Sequence, residues 1–191
     1  MRYLEQALVF LVGTVFSAYI LLVLLRLLFQ ITRTDFYNAV AQFLVKATNP
    51  LILPLRRLIP GFVGIDWASI TALLLLAVAK TYITLSIEGM IPGLAAVFVL
   101  AVADIVQLTI YVFLVAIFIR VVLSWVNPYG YHPMNDLLVS LTEPLMAPAR
   151  RLIPTFAGLD LSPVAVVIVL ELALILLVQP LFNFGSGLIA R

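Results

Sequence analysis

Four long apolar stretches limit what this sequence can fold into. They run roughly from Ala7 to Phe29, from Trp67 to Ile87, from Leu94 to Val126 and from Leu161 to Leu181. About 20 mostly apolar residues in a helix are enough to cross the hydrocarbon core of a bilayer. The sequence therefore predicts an all-α membrane protein with four transmembrane helices, of which the third is longer than one crossing needs.

The composition agrees with this class and excludes others. Of the 191 residues, 64% are hydrophobic and 10% are charged, whereas soluble domains carry about 25% charged residues. The formal net charge of +2 is too small to argue for a nucleic-acid partner. With no cysteine and a single histidine, His132, the chain offers no thiolate or paired-histidine metal site. We therefore expect no metal and no cofactor.

The basic residues lie mostly on one side of the predicted spans. The long loops between spans one and two and between spans three and four hold Arg33, Lys46, Arg56, Arg57, Arg150 and Arg151. Short loops rich in Lys and Arg usually face the cytoplasm. The long loops are therefore predicted to be cytoplasmic, with both termini outside.

A tandem repeat becomes visible when the sequence is shifted by 94 residues. Twelve of the nineteen positions from Thr48 to Asp66 are then identical to those from Thr142 to Asp160, without a gap, and Arg26 falls on Arg120. The chain is therefore predicted to hold two helix–loop–helix units, residues 1–92 and 93–191. Because each unit crosses twice, both point the same way, which is a parallel repeat about an axis along the membrane normal.

Each long loop has the pattern of an amphipathic helix followed by a proline-rich motif. Apolar residues recur at helical spacing in both loops, at Phe36, Val40, Phe43, Leu44 and Ala47 and again at Met134, Leu137, Leu138 and Leu141. Such segments are expected to lie in the headgroup plane. The motif prolines are Pro50, Pro54 and Pro60 in the first copy and Pro144, Pro148 and Pro154 in the second. Because proline suits a first helical turn and disturbs an interior one, we expect a short, bent segment between them.

The arginine pairs of the motif, Arg56–Arg57 and Arg150–Arg151, allow three interpretations. They can contact lipid headgroups near the cytoplasmic leaflet, since arginine binds phosphate well. They can form ion pairs with Asp66 and Asp160, which follow at the same interval in both copies. They can also form a docking surface for a protein partner. Arg26 and Arg120 lie near helix ends and are expected to extend toward the interface.

Three charged residues fall inside the predicted spans: Lys80, Asp104 and Glu171. A charge at the bilayer centre costs about 2.5–3.5 kcal/mol on the insertion scale, so these residues are expected to face one another or a wet cavity. Counted along their helices, all three can meet in one layer. Such a layer is either a structural ion pair with a spare carboxyl group or a site for a cation or proton. None of the three recurs in the other copy.

The doubled motif resembles that of a known family. The pattern Asn/Glu-Pro-Leu-x-x-Pro-x-Arg-Arg-Leu-Ile-Pro, followed by Phe-x-Gly-x-Asp, is similar to that of the bacterial YggT family and its YlmG relatives. The resemblance spans nearly the whole chain as two units, and Glu143 departs from Asn49 within it. It implies a multi-pass protein of the bacterial inner membrane. It also implies links to osmotic or potassium tolerance, to cell division and envelope organisation, and to membrane-complex assembly in plastids.

Two functions remain open from the sequence. In the first, the protein is a non-catalytic organiser whose arginine loops hold anionic lipid or a protein partner. In the second, it takes part in potassium uptake or osmotic tolerance through Lys80, Asp104 and Glu171. No catalytic set or phosphate-binding loop is recognisable, so we do not expect an enzyme. Self-association is expected because four spans are few for a pore.

Overall fold

The computed structural model describes residues 2–34, 38–61, 66–126, 133–153 and 160–189, with residues 133 and 134 described by their backbone alone. The described residues are almost entirely helical. The helices are α1 (Arg2–Ile31), α2 (Ala39–Leu58), α3 (Trp67–Ile87), α4 (Leu94–Val126), α5 (Pro133–Leu152), α6 (Ser162–Ala173) and α7 (Gln179–Ile189). A π turn, Leu174–Val178, joins α6 to α7 without interrupting the helix.

Four of these segments are long and apolar enough to cross a membrane. They are α1, α3, α4 and the continuous segment Ser162–Ile189, with mean hydropathies of 2.7, 1.9, 2.4 and 2.7. The predicted all-α membrane fold with four spans is confirmed. The protein is therefore a multi-pass membrane protein. Its last span ends at Ile189, later than the predicted Leu181.

The π turn keeps one face of the last span against its neighbour. The N–H of Gln179 donates to the carbonyl oxygen of Leu174, five residues earlier. This wider turn comes directly before Pro180, which has no N–H and whose ring disfavours a regular α turn. Residues spaced by four drift about 40° around an α-helix, and a turn that takes in an extra residue reverses part of that drift. As a result Leu170, Leu174 and Val178 all enter the same buried cluster.

The two loop helices pack on the spans of their own repeat. Helix α2 contacts α1 and α3, and α5 contacts α4 and α6. The predicted apolar residues Leu44, Leu137, Leu138 and Leu141 are buried. Phe43, expected on the same face, is 60% exposed, because the contact face instead consists of Ala41, Leu44, Thr48 and Ile52. Phe36 lies outside the described residues, as does the side chain of Met134.

The prediction of a short, bent segment between the prolines is wrong. Helix α2 continues through Pro50 and Pro54, and α5 continues through Pro144 and Pro148. An interior proline frees carbonyl groups in the preceding turn. In the turn before Pro50, the carbonyl of Ala47 also accepts a hydrogen bond of 3.3 Å from the Tyr19 hydroxyl on α1. Packing against the span therefore supports a helix that the prolines alone would interrupt.

The helix ends short of the last proline of the motif. The exposed Pro60 follows the end of α2, and Pro154 lies outside the described residues. Proline after a helix end is common because it cannot continue the helix.

The two repeats meet mainly where the second span of one reaches the first span of the other. Helix α3 packs on α4, and α1 also touches α5. The turn between α3 and α4 uses Gly89 at a positive φ of 79°, and the N–H of Met90 bonds back to the Leu85 carbonyl. A glycine with positive φ after a helix end lets the following N–H groups bond to the last carbonyl groups of the helix, which otherwise lack a partner. The boundary between residues 92 and 93, and the rotation axis, stay predictions.

Candidate functional site

The arginine near the end of the first span of each repeat is turned toward the loop helix. Arg26, near the end of α1, is only 5% exposed. Its Nη1 donates to Thr48 Oγ1 at 2.7 Å and to Asn49 Oδ1 at 2.9 Å. The Thr48 hydroxyl in turn donates to the carbonyl of Leu44 at 2.6 Å. Acceptors on α2 therefore satisfy the Arg26 guanidinium, and its extension toward the interface stays a prediction.

The second repeat builds the same contact with one change. Arg120 Nη1 donates to Thr142 Oγ1 at 2.6 Å, and the Thr142 hydroxyl donates to the Leu138 carbonyl at 2.7 Å. In place of Asn49 stands Glu143, whose Oε2 accepts from both terminal nitrogens of Arg120 at 3.3 Å. The threonine relay is therefore common to both repeats, and the acceptor beside it differs in charge.

The first arginine of the motif pair reaches across to the aspartate that precedes the next span. Arg56 approaches Asp66 as a fork, with Nη2 to Oδ2 at 2.5 Å and Nε to Oδ1 at 3.3 Å. Ser69 Oγ donates to the same carboxylate at 2.7 Å, and Asp66 is 4% exposed. The ion pair considered from the sequence is present. Two such parallel bonds give a geometry that one point charge cannot provide.

The Asp66 carboxylate is held in its charged form. Burial alone would raise its pKa, but the hydrogen bonds from Arg56 and Ser69 and the charge of Arg56 lower the pKa below the ordinary value of 3.8. The ionised side chain therefore fixes the end of α2 to the start of α3. The contact lies outside the membrane-spanning helices, at the junction between loop and span.

In the second repeat the equivalent arginine divides its contacts. Arg150 Nη2 lies 2.9 Å from Glu143 Oε2, and its Nε lies 3.7 Å from Asp160 Oδ2. Asp160 also accepts from the backbone N–H of Ser162 at 2.9 Å. Burial would raise the pKa of Asp160, yet the contact with Ser162 and the charges of Arg150 and Arg120 lower it. Glu143 thus joins Arg120 on the span to Arg150 on the loop helix.

The second arginine of each pair remains at the surface. Arg57 and Arg151 are exposed, and within the described ranges neither forms an ion pair. Both lie in the last turn of their helix, where the carbonyl end favours a positive charge. Each arginine pair therefore splits into one residue that fixes the junction and one that faces outward.

The charges within the spans separate into two places. Lys80 Nζ lies 2.7 Å from Asp104 Oδ2, which links α3 of the first repeat to α4 of the second. Glu171 is exposed on α6 and pairs with no residue in the described part of the chain. The expectation that all three meet in one layer is therefore wrong for Glu171, because α6 turns it away from the α3–α4 contact.

Sequence reasoning missed the polar residues that receive Arg26 and Arg120. Thr48 and Thr142 stood among the repeated identities, and the same shift aligned the two span arginines. The signal for the contact was therefore the repetition of both partners at one spacing. A single threonine on an apolar helix face does not by itself predict a hydrogen-bond partner. Only the packing of α2 against α1 shows that Thr48 accepts from Arg26.

The comparisons with known proteins agree with the tandem organisation. A model of the CCB3/YggT family matches twice, over residues 5–87 and 99–181. The uncharacterized protein PA0392 of Pseudomonas aeruginosa is 39% identical over 93% of this chain and 91% of its own length. A Vibrio alginolyticus protein encoded 3′ of proC is 39% identical over 86% of this chain and 89% of its own.

A further relative carries the family name. The uncharacterized protein YggT of Escherichia coli K12 is 36% identical over 86% of this chain and 86% of its own length. No solved structure matches the chain. With both halves covered by the family model and relatives of this identity along most of its length, the chain belongs to the CCB3/YggT family and carries two family units in tandem.

Proposed function

We propose that this protein is a non-catalytic organiser of the bacterial inner membrane that holds anionic lipid headgroups at Arg57 and Arg151. The observation that carries the proposal is the way both arginine pairs divide. In each repeat the first arginine is engaged with carboxylates of the same chain, and the second is exposed at the helix end. A residue kept free in both copies, beside one that fixes its position, suits an external anionic ligand.

The chemistry of the exposed pair fits phosphate. Arginine presents a planar fork that binds phosphate oxygens in two parallel bonds. A basic residue near an anionic leaflet gains about 1 kcal/mol. The Arg56–Asp66 contact fixes the end of α2 against α3, so Arg57 is presented from a braced helix end. Binding then costs less ordering of the chain than it would on a free loop.

The proposed orientation places this surface at the cytoplasmic leaflet. The support is the distribution of basic residues, which favours cytoplasmic long loops. The short turn that contains Gly89 and Ile91 would then face outside, together with both termini.

The non-catalytic part of the proposal rests on what the recurring residues contact. The repeated side chains form two pairs within the chain, Arg26 with Thr48 and Arg56 with Asp66. A groove of about 370 Å³ between α1, α4 and α5 is lined by apolar residues and Tyr111. Such a lining supplies little for acid–base or nucleophilic chemistry.

The alternative of cation movement has less geometric support. Lys80 and Asp104 neutralise each other at 2.7 Å, and Glu171 lies apart from them. A layer with excess negative charge, which would attract a cation, is therefore not assembled from these three residues. The ion pair instead links the two repeats, which is a structural use of the same side chains.

Lipid retention in a mild detergent tests the function. The variant Arg57→Gln/Arg151→Gln, mixed with phosphatidylglycerol and analysed by native mass spectrometry, should bind lipid about fivefold more weakly at each of the two sites than the wild type, since each site loses one contact of about 1 kcal/mol. The matched control, Arg2→Gln/Arg191→Gln, changes the net charge equally and should retain the lipid. Equal loss in both variants, or no loss in either, would contradict the proposal.

Orientation is tested on the native background without cysteine. A membrane-impermeant thiol reagent applied to spheroplasts should label Ile91→Cys, a position that is 97% exposed, and should leave Arg57→Cys unlabelled until the membrane is opened. The reverse order of labelling would place the arginines outside and overturn the assignment.

A further inference from the structure

The last span carries an exposed stripe of four residues, three of which are polar. Within the fourth span, Leu170, Leu174, Val178 and Phe182 pack into the cluster against α4. The residue that follows each of these, Glu171, Ile175, Gln179 and Asn183, is exposed. We call these four residues the outer stripe. Its members share one side of the helix because the packed residues before them share another.

The π turn is what gathers these residues into one stripe. Over eight residues an α-helix rotates by about 80° beyond two full turns, so Glu171 and Gln179 would diverge. The turn closed by the Gln179 N–H and the Leu174 carbonyl takes in roughly one extra residue. Glu171 and Gln179 are then separated like residues seven apart, which differ by only about 20°.

Part of the stripe lies within the depth of the bilayer core. Counted from Ser162, Glu171 is roughly 14 Å and Gln179 roughly 25 Å along the helix, against a core of about 30 Å. The side chains of Glu171, Gln179 and Asn183 make no hydrogen bond or ion pair with any described residue. Lipid tails offer no partner to an amide or a carboxyl group. The stripe therefore presents polar groups whose partners must come from outside this chain.

A second copy of the chain satisfies the two amides of the stripe, Gln179 and Asn183, with the same chemistry. Copies inserted with the same topology, related by a twofold axis along the membrane normal, place identical residues at the same depth. An amide both donates and accepts, so Gln179 meets Gln179 and Asn183 meets Asn183 as complementary pairs. Interhelical bonds between such side chains are a recognised source of association between membrane helices.

We propose that the outer stripe is a self-association surface through which two copies of this protein pair by their fourth spans. The pairing does not rest on the lipid contacts of Arg57 and Arg151, which lie on the loop helices. It joins the edges of two four-span bundles, because α6 packs on α4 and α5 and α7 packs on α4, while the stripe lies about 100° around the helix from the packed residues and stays exposed.

Disulfide cross-linking in native membranes tests the surface. With Ile175→Cys, which adds the only thiol and keeps the polar residues, mild oxidation should produce a homodimer. The control Leu176→Cys lies one residue on, turned by about 100°. At 66% exposure, compared with 50% for Ile175, it is the more accessible position. It should nevertheless form several-fold less dimer.

A second set of variants asks whether the amides drive the pairing. Adding Gln179→Leu/Asn183→Leu to Ile175→Cys should reduce the cross-linked fraction about threefold or more, whereas adding Thr14→Leu, an exposed polar residue of α1, should leave it unchanged. The inference is overturned if Ile175→Cys and Leu176→Cys cross-link equally or if the leucine pair has no effect. It is also overturned if the trapped partner is a different protein.

Discussion

The junctions between loop helix and span look alike in sequence in the two repeats but differ in their contacts. In the first repeat, Arg26 donates hydrogen bonds to Thr48 and Asn49. Arg56 forms an ion pair with the buried Asp66. In the second, one carboxylate, Glu143, receives both Arg120 and Arg150, and Asp160 is 42% exposed in its side chain. The first repeat thus has two separate contacts, and the second has one shared network.

Two substitutions between the copies account for this difference. Asn49 is neutral and engages one arginine, whereas Glu143 attracts a second. Ser69, which donates to Asp66, corresponds after the shift of 94 residues to Pro163, which has no donor. Asp66 is therefore held from two sides and Asp160 less firmly. The arginine motif is thus repeated in both copies, but the residues around it differ and change which hydrogen bonds and ion pairs its arginines form.

The largest expected difference comes from removing the aspartates. Asp66→Ala removes a buried carboxylate that accepts from Arg56 and Ser69, and it should lower the unfolding free energy by about 2–3 kcal/mol, because the Arg56 left behind is partly exposed and reaches solvent. Asp160→Ala removes an exposed partner at 3.7 Å and should cost less than about 1 kcal/mol. Denaturation of the purified variants by SDS titration measures both. Equal losses would mean that the two junctions carry equal weight after all.

Next in size is the exchange of the span arginines. Arg26→Gln removes charged hydrogen bonds to Thr48 and Asn49 inside a buried contact and should cost about 2–3 kcal/mol. Arg120→Gln should cost about half as much, because Glu143 keeps Arg150 as a partner. The same SDS titration measures both losses. The control is Arg57→Gln, an exposed residue whose replacement should leave the unfolding free energy nearly unchanged. A larger loss for Arg120→Gln would show that the shared network is the stronger one.

A rescue experiment turns the first junction into the second. In an Asp66→Asn background, Asn49→Glu supplies the carboxylate that Glu143 provides in the other repeat. We expect this change to restore about 1 kcal/mol of the lost stability, because Arg56 gains a new acceptor one residue after Thr48. The control is Asn49→Gln in the same background, which adds length without charge. No difference between Glu and Gln at this position would refute the role assigned to residue 49.

The smallest expected effect is a difference in acid sensitivity. The pKa of Asp66 is lowered in the folded protein, so its stabilisation is fully present above the ordinary value of 3.8 and is lost as the pH falls below that value and through the lowered pKa. Stability between about pH 5 and pH 3 should therefore fall less steeply in Asp66→Asn than in the wild type. Asp160→Asn should change the slope less, since its carboxylate is more exposed. Equal dependence of stability on pH in all three proteins would contradict the lowered pKa assigned to Asp66.

Most of the fold could be predicted because the hydropathy, the internal repeat and the helical spacing of apolar residues all indicate the same arrangement. The apolar lengths predicted four spans, and the shift of 94 residues predicted two units. The loop helices were predicted by their spacing, although Phe43 was placed on the wrong face. The prediction of a short, bent segment at the prolines was wrong, because it considered only the local effect of proline on a helix. Contacts from α1, such as the Tyr19 bond to Ala47, support the continuous helix.

The sequence by itself determined the class, the number of spans and the recurrence of the arginine motif, because length, hydropathy and identity are properties of the chain alone. Only the tertiary structure decided which arginine is buried, which carboxylate is shared, and that Glu171 stands apart from Lys80 and Asp104. The physical reason is that a hydrogen bond or ion pair depends on distance and burial between separate helices. Those are set by how α1, α2 and α6 pack, which no local pattern records.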